Sequence, residues 1–526
     1  MASGAFPAYG RRVIGGYLEV ERKFDVDGAF TPPSPDELVA LPGVAAVDDP
    51  VEHQLDAGYF DTPDLRLFRG RVTLRRRTGG PDAGWHLKLP AEGGARRELH
   101  APLGRSARKP PSALLHPVVG LLRRAEVGPI ATLHTRRVVT ALRDADGRVL
   151  AEMADDTVTA SVPAPGQGDG VGAQIWREVE VELVDGDEPL LAAVGERLVA
   201  AGARPSPQAS KLGRAIAARL ATAAPTGERG KSKPLAGDVV LEAVRAQVAA
   251  LQAADVLLRT DQPDAVHRIR VACRQLRSIL AAFRSVLDRT ATDPLREELA
   301  WLRAALSPAD DDEVALGHLR TVVAADPVEL VLGPVAARLQ QAAIRAAQAG
   351  QARAVETLGG ARYLRLLDDL HAVLEDPPFR DQAGSRPRPV LRAAVGKAAR
   401  RLDRRVATAD RVRGDGRDAA LHDVRAAARR LRCTAGVARA ELGRPAKDLV
   451  RAAKGVERTL GERQDTVVTR EQCRRLAIAA TAAGESAFAY GRLHALEEFR
   501  AARALFAFEA LAPALRATLA VATRKH

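Results

Sequence analysis

Three patterns in the chain place ionisable side chains at spacings that can do chemistry. The first is YLEVERKFDV, where Glu19, Glu21 and Lys23 alternate with Leu18, Val20 and Phe24. Successive side chains on a strand point to opposite faces, so both carboxylates and the ammonium share one face. A solvated strand of mixed charge gives the same local pattern, but here the pattern recurs. Arg75 and Arg77 share a face with Thr73, Lys88 lies opposite Leu87 and Leu89, and Glu178, Glu180 and Glu182 lie opposite Val179, Val181 and Leu183. Three carboxylates along one strand repel one another unless cations come between them. Acidic strands held apart from basic strands suit a divalent metal on the carboxylates and a phosphate chain on the Arg/Lys side. Hard oxygen ligands favour Mg2+ or Mn2+, and arginine forks match phosphate oxygens two at a time. A closed barrel with its charges inward would hold these groups together.

The other two patterns are copies of each other. VHRIRVACRQLR supplies His267, Arg270, Arg274 and Arg277, and LHDVRAAARRLR supplies His422, Arg425, Arg429 and Arg432. Both read H-x2-R-x3-R-x2-R, offset by 155 residues, from 267 to 422. Steps of three, four and three put all four side chains on one helical face. Such a stripe repels itself unless an anion or neighbouring carboxylates neutralise it, and its histidine adds charge only when protonated. Two copies at corresponding positions point to a duplication with pseudo-twofold symmetry. Arg284, Arg400, Arg401, Arg404, Arg405, Lys454 and Arg458 add further positive charge, each weak evidence alone.

Two kinds of scaffold must position these groups. Alternating runs such as RVTLRRR, GWHLKL, RRVVTAL and WREVEVELV, separated by Gly, Pro and Asp, make residues 14–215 a strand-rich domain with short helices. The segment ATAAPTGERGKSKPLAG reads as linker, within 216–237. Ala/Leu/Arg runs of helical period then fill 238–526, split by a loop at 376–389 into halves of about 238–375 and 389–526. The fold class is therefore α+β multidomain, a β-rich domain followed by an all-α domain of two bundles.

At 526 residues the chain is long enough for two or three cored domains. Its 46% hydrophobic and 28% charged residues exclude wholesale disorder. Three scattered cysteines without a CxxC pair give neither a zinc knuckle nor a disulfide framework. No 18-residue uncharged apolar run and no signal-like start are found, so no membrane partner and a cytoplasmic location are expected. The charge is divided sharply. Residues 1–230 hold 29 Lys+Arg against 30 Asp+Glu, leaving 50 against 36 in 231–526. The net +13 of the whole chain thus belongs to the helical half and points to a polyanionic partner. Few aromatic residues occur there to stack on bases, so no specific nucleic acid is expected. Neither a GxxxxGK[ST] loop nor a GxSxG elbow is present, so neither P-loop nor nucleophile-elbow chemistry is supported.

With Glu19–Glu21–Lys23, YFDTPDLRL at 59–67, LRRR at 74–77, HLKL at 86–89 and REVEVEL at 177–183 in this order, residues 14–215 resemble the CYTH, or triphosphate tunnel metalloenzyme, family. The resemblance implies an antiparallel β tunnel barrel that processes triphosphates with a divalent metal. By the same resemblance, Lys23, Arg75, Arg77, Lys88, Arg137 and Lys211 grip the triphosphate, with Arg136 the less favoured alternative to Arg137. Glu19, Glu21, Glu178 and Glu180 hold metal with Asp155 nearby and Glu182 as a further candidate. Glu19, Glu21, Lys23, Glu178 and Glu180 form the catalytic group. Residues 238–526 resemble the CHAD, or conserved-histidine α-helical, domain through the two stripes and the segments LSPADDDEV and LGERQD. That resemblance implies two four-helix bundles around a basic cavity that binds inorganic polyphosphate through the two stripes. Asp310 and Asp311 depart from the family pattern by adding negative charge. The expected function is a metal-dependent triphosphatase with an attached polyphosphate-binding domain, at polyphosphate granules in the cytoplasm. Organic triphosphates (thiamine triphosphate, a nucleotide or an RNA 5′ end) and a non-enzymatic polyphosphate-binding role are the alternatives.

Overall fold

The computed structural model describes residues 16–91, 95–163, 171–208, 210–223, 233–414 and 416–523. Residues 14 and 15, part of the expected linker and the side chain of Asp310 lie outside the described set. Contacts divide the chain into two compact units, Met1–Arg229 and Gly230–His526.

In the first unit the alternating runs become β1 Gly16–Glu19, β2 Glu21–Val26, β3 Ala46–Val47, β4 Val51–Asp61, β5 Thr73–Thr78 and β6 Gly84–Pro90. They continue as β7 Arg96–Ala101, β8 Gly128–Arg143, β9 Val149–Pro163, β10 Val171–Leu183 and β11 Arg204–Pro205. All belong to one antiparallel sheet ordered β1-β7-β6-β5-β4-β8-β9-β10-β2-β11, with β3 beside β8. β1 and β2 are one segment interrupted at Val20. Its first part pairs with β7 and its second with β10, so the sheet curls until both ends meet there.

The usual distribution of polarity is inverted. Phe24, Met153, Val179 and Val181 face outward and pack on Leu190, Leu191, Val194 and Leu198 of helix α1, Glu188–Ala200. The alternate positions carry charge inward. At one end the inner face turns apolar, where Tyr59, Leu133, Val158, Ala160 and Trp176 pack against Leu212, Ala215 and Ile216. Helix α2, Lys211–Ala215, covers this end. The Ser210 hydroxyl caps it by accepting from the Gly213 N–H at 3.0 Å, which fixes Lys211 as its first residue.

The second unit is all-helical. Its main helices are α3 Ala236–Arg259, α4 Ala265–Ala282, α5 Arg289–Ala325, α6 Val335–Gly359, α7 Ala361–Glu375, α8 Pro387–Arg411, α9 Gly416–Val437, α10 Arg444–Ala482 and α11 Phe488–Thr523. α3 packs on α4 as α8 packs on α9. The hairpin α5–α6 corresponds to α10–α11, and the halves meet where α4 touches α9 and α5 touches α10. Buried Leu295, Leu299, Leu302 and Leu306 of α5 match buried Leu449, Ala453, Val456 and Leu460 of α10 at an offset of 154, one less than for the stripes. One apolar core runs through both halves, and a second cluster holds the far ends of the long hairpins.

Within Phe488–Val521 of α11 an 18-residue stretch reaches a mean hydropathy of 1.5, so this helix is long and apolar enough, by length and composition, to cross a membrane. The expectation drawn from uncharged runs alone did not anticipate it. Within it Glu509 and Arg516 are ion-paired to Arg417 and Asp410. Phe508, Leu515 and Leu519 enter the core, as expected of a helix packed in a bundle, while Phe499 and Phe506 stay exposed.

Candidate functional site

The inward charges of the first unit line a cavity of about 300 Å³. One wall is cationic, with Arg75 and Arg77 from β5, Lys88 from β6 and Arg137 from β8. Burial, then the neighbouring guanidinium groups of Arg75 and Arg137, push Arg77 down to about 9. Arg75 is held above its usual range because Tyr59 and Glu98 outweigh its burial. Lys88 reaches Glu19 at 2.6 Å and Glu98 at 3.2 Å. Glu98 is itself buried against His86, and burial pushes that imidazole down to about 4.

The carboxylates fall into two groups. Asp156, Glu178 and Glu180 present oxygens within 4.8 Å of one another. Lys211 sits among them, 2.9 Å from Asp156, 2.8 Å from Glu178 and 2.5 Å from Glu180. Arg137 adds contacts of 2.6 Å to Asp156 and Glu180, Lys23 is paired with Glu180, and the Trp176 indole donates to Glu178 at 2.6 Å. Despite its burial, Glu180 is held far below the usual carboxylate range by Lys211, Lys23 and Arg137. The second group is Glu19, Glu21 and Glu182, with Glu152 also on the cavity wall. Among the described residues no cation pairs with Glu182. Burial, then the charge of Glu19, raises its carboxyl to about 7, with Glu21 and Glu180 adding to the effect. A divalent cation shared by these oxygens would relieve that repulsion, so the donor set fits a hard metal ion.

In the second unit the stripes meet at a cavity of about 260 Å³. Arg274 and Arg277 of α4, Arg296 and Arg303 of α5, and His422, Arg429 and Arg430 of α9 line it. Among the described residues no carboxylate lines it. Burial, followed by Arg429 and Arg270, pushes Arg274 down to about 10. Burial, followed by Arg401 and Arg296, does the same to Arg430. The Nε atoms of Arg277, Arg296 and Arg303 are buried without a hydrogen-bond partner. Concentrated, mutually repelling guanidinium groups with donors to spare suit a multiply charged anion.

A CYTH domain model matches residues 18–212 and a CHAD domain model matches 242–474. An uncharacterized protein of Mycobacterium tuberculosis, found in strains CDC 1551 and H37Rv, is 39% identical over 491 residues, 91% of this chain and 93% of its own. The chain belongs to the CYTH–CHAD family. Among solved structures, PptA from Streptomyces chartreusis aligns at 23% identity and a TM-score of 0.43, over 53% of this chain and 99% of its own. The CHAD domain from the plant Ricinus communis aligns at 25% identity and a TM-score of 0.42, over 54% and 92%.

In the CYTH domain, Glu19, Glu21, Lys23, Arg75, Arg77, Lys88, Arg137, Glu180, Glu182 and Lys211 all line one cavity, with Glu178 beside it on Lys211. Arg136 points outward and pairs with Glu52 at 2.6 Å. Asp155, expected near the metal, faces away and is bound by Arg177 at 2.6 Å. Its neighbour Asp156 takes the inward position, because the register sets it opposite Glu178 and Arg137. Acidic and basic strands are not kept apart as the strand-by-strand reading expected. Lys23, Arg137 and Lys211 interleave with the acids of β9 and β10. Glu98 and His53 also went unread. The cue for Glu98 was its place directly opposite Lys88, which only the pairing of β6 with β7 reveals.

In the CHAD domain, Arg274, Arg277, His422 and Arg429 reach the cavity. His267, Arg270, Arg425 and Arg432 are not on its wall. Arg270 donates to Ser307 at 2.8 Å and Asp311 at 2.9 Å, so the added acid is taken up by the stripe's own first arginine. The equivalent of Ser307 is Gly461, where a Cβ would come within 3.1 Å of the Arg425 guanidinium. Arg432 is bound by Glu457 at 2.6 Å. Arg296, Arg303 and Arg430 were missed because single arginines are common throughout this sequence.

Proposed function

We propose that the CYTH domain is a metal-dependent hydrolase of inorganic triphosphate and that the CHAD domain binds inorganic polyphosphate. The observation that carries this reading is one cavity that gathers Arg75, Arg77, Lys88 and Arg137 with carboxylates, among which burial, then the charge of Glu19, raises Glu182 to about 7. Phosphoryl transfer to water needs positioning and charge neutralisation more than covalent chemistry. Arg75, Arg77 and Lys88, whose own partners are Glu98, Asp82 and Glu19, are placed to grip phosphate oxygens. Lys23, Arg137 and Lys211, now bound to acids, are within reach to share their remaining donors with the ligand. Glu19, Glu21 and Glu182 would hold Mg2+ or Mn2+, and such an ion supplies neutralisation of phosphate charge and activation of water. The apolar end sealed by Trp176 and α2 leaves the charged end for the phosphate chain. In the CHAD cavity, a wall on which the described residues place arginines and no carboxylate supports polyphosphate as ligand. Phosphate release from triphosphate, long polyphosphate, ATP and thiamine triphosphate, each with Mg2+ and with Mn2+, tests the reading. Inorganic triphosphate is expected to turn over fastest. Faster release from an organic triphosphate would replace the substrate assignment.

A further inference from the structure

We infer that Glu457 is a built-in competitor for the anionic ligand of the CHAD cavity, so that the site is one-sided although the fold is twofold. The inference rests on the polyphosphate reading above. The offset of 154 that matches buried Leu299, Leu302 and Leu306 to buried Ala453, Val456 and Leu460 also matches Arg303 to Glu457. Equivalent places in the two halves therefore carry opposite charges. Arg303 lines the cavity. Glu457 instead accepts from Arg429 Nε at 2.8 Å and from Arg432 Nε at 2.6 Å. Arg429 is itself on the cavity wall.

The consequence follows from charge competition. On the Arg303 side, burial and the neighbouring cations Arg270 and Arg429 act against the guanidinium; Asp311 opposes them but is hydrogen-bonded to Arg270, and the Arg303 Nε is buried with no hydrogen-bond partner among the described residues. On the other side, Arg429 already has a carboxylate, and a ligand must take that guanidinium from Glu457 before gaining from it. The pair is partly buried, at about 20% side-chain exposure for either partner, so solvent screens it only in part. An anion chain therefore seats first on Arg277 and Arg303, which Glu457 does not engage, and Glu457 sets how much ligand charge is needed to engage Arg429.

The test is a titration of the full chain with long-chain polyphosphate at fixed salt, comparing the parent, E457Q, R432Q and the double variant, with helical circular dichroism as the check on folding. E457Q is expected to bind at least tenfold tighter, about 1.4 kcal/mol. R432Q is expected to bind several-fold more weakly than the parent, because Glu457 then concentrates on Arg429. In the E457Q background the same R432Q change is expected to do nothing. Absence of binding by the parent overturns the polyphosphate reading and this inference with it. Binding by the parent with E457Q no tighter overturns the inference alone, as does an R432Q loss that persists in the E457Q background. Should E457Q fail to fold, R432Q decides by itself, and affinity equal to the parent's overturns the inference.

Discussion

Replacing Lys211 with Met probes the centre of the CYTH tunnel. The ammonium lies within 2.9 Å of Asp156, Glu178 and Glu180 and is 9% exposed. Its loss leaves three buried carboxylates sharing Arg137 and Lys23. Removing one partner from a buried ionic network costs roughly 3–5 kcal/mol. For a unit of this size each kcal/mol lowers the melting temperature by about 2–4 °C, so the drop at pH 7 should be roughly 6–20 °C. The sign of its pH dependence is fixed by Glu180, which Lys211 helps hold far below the usual carboxylate range. A depressed carboxylate stabilises above its unfolded pKa of about 4.3 and loses that stabilisation as pH falls. The gap between parent and variant should therefore be widest near neutrality and begin to narrow only as pH falls below about 4. Thermal melts of the full chain followed by tryptophan fluorescence report on it, since Trp85 and Trp176 lie in this unit. A variant that melts within about 2 °C of the parent at pH 7, or a gap that widens on acidification, would refute the network.

Three further outcomes are expected. Arg137→Gln should lower triphosphate turnover by about 100-fold or more, as loss of a preorganised charge contact does, whereas Arg136→Gln, on the outer face beside Glu52, should leave steady-state rates within about twofold. Glu182→Gln should raise the Mg2+ concentration for half-maximal binding, read by calorimetry. In the parent that affinity should strengthen as pH rises through about 7, where the Glu182 carboxyl loses its proton. Arg274→Gln combined with Arg303→Gln should weaken long polyphosphate by about tenfold or more, at roughly 1–3 kcal/mol per lost charge-assisted contact, and should flatten the salt dependence of binding.

What could be read from the sequence was periodicity within one element, and what could not was pairing between elements. Alternation alone put Glu19, Glu21 and Lys23 on one face, and these residues do line the tunnel. Asp155 and Asp156 differ by one residue, and parity cannot choose between them until the β9–β10 register places Asp156 opposite Glu178. Reading each strand separately left β10 purely acidic. Its neutralisation by Lys23, Arg137 and Lys211 depends on β2, β8 and a capped helix brought in from outside the sheet. The stripes were visible because four residues recur on one helix. Arg303 and Glu457 were not, since their equivalence lies at a different offset on α5 and α10 and appears only when buried leucines align the two helices.

The most direct test of the central claim is inorganic phosphate release from triphosphate by the full chain, with Mg2+ or with chelator, in the parent and in the Glu19→Gln, Glu21→Gln double variant. Metal-dependent turnover is expected in the parent and none above background in the variant, with tryptophan fluorescence showing the folded tunnel in both. Equal turnover by the folded variant, or parental turnover unaffected by chelator, would contradict it.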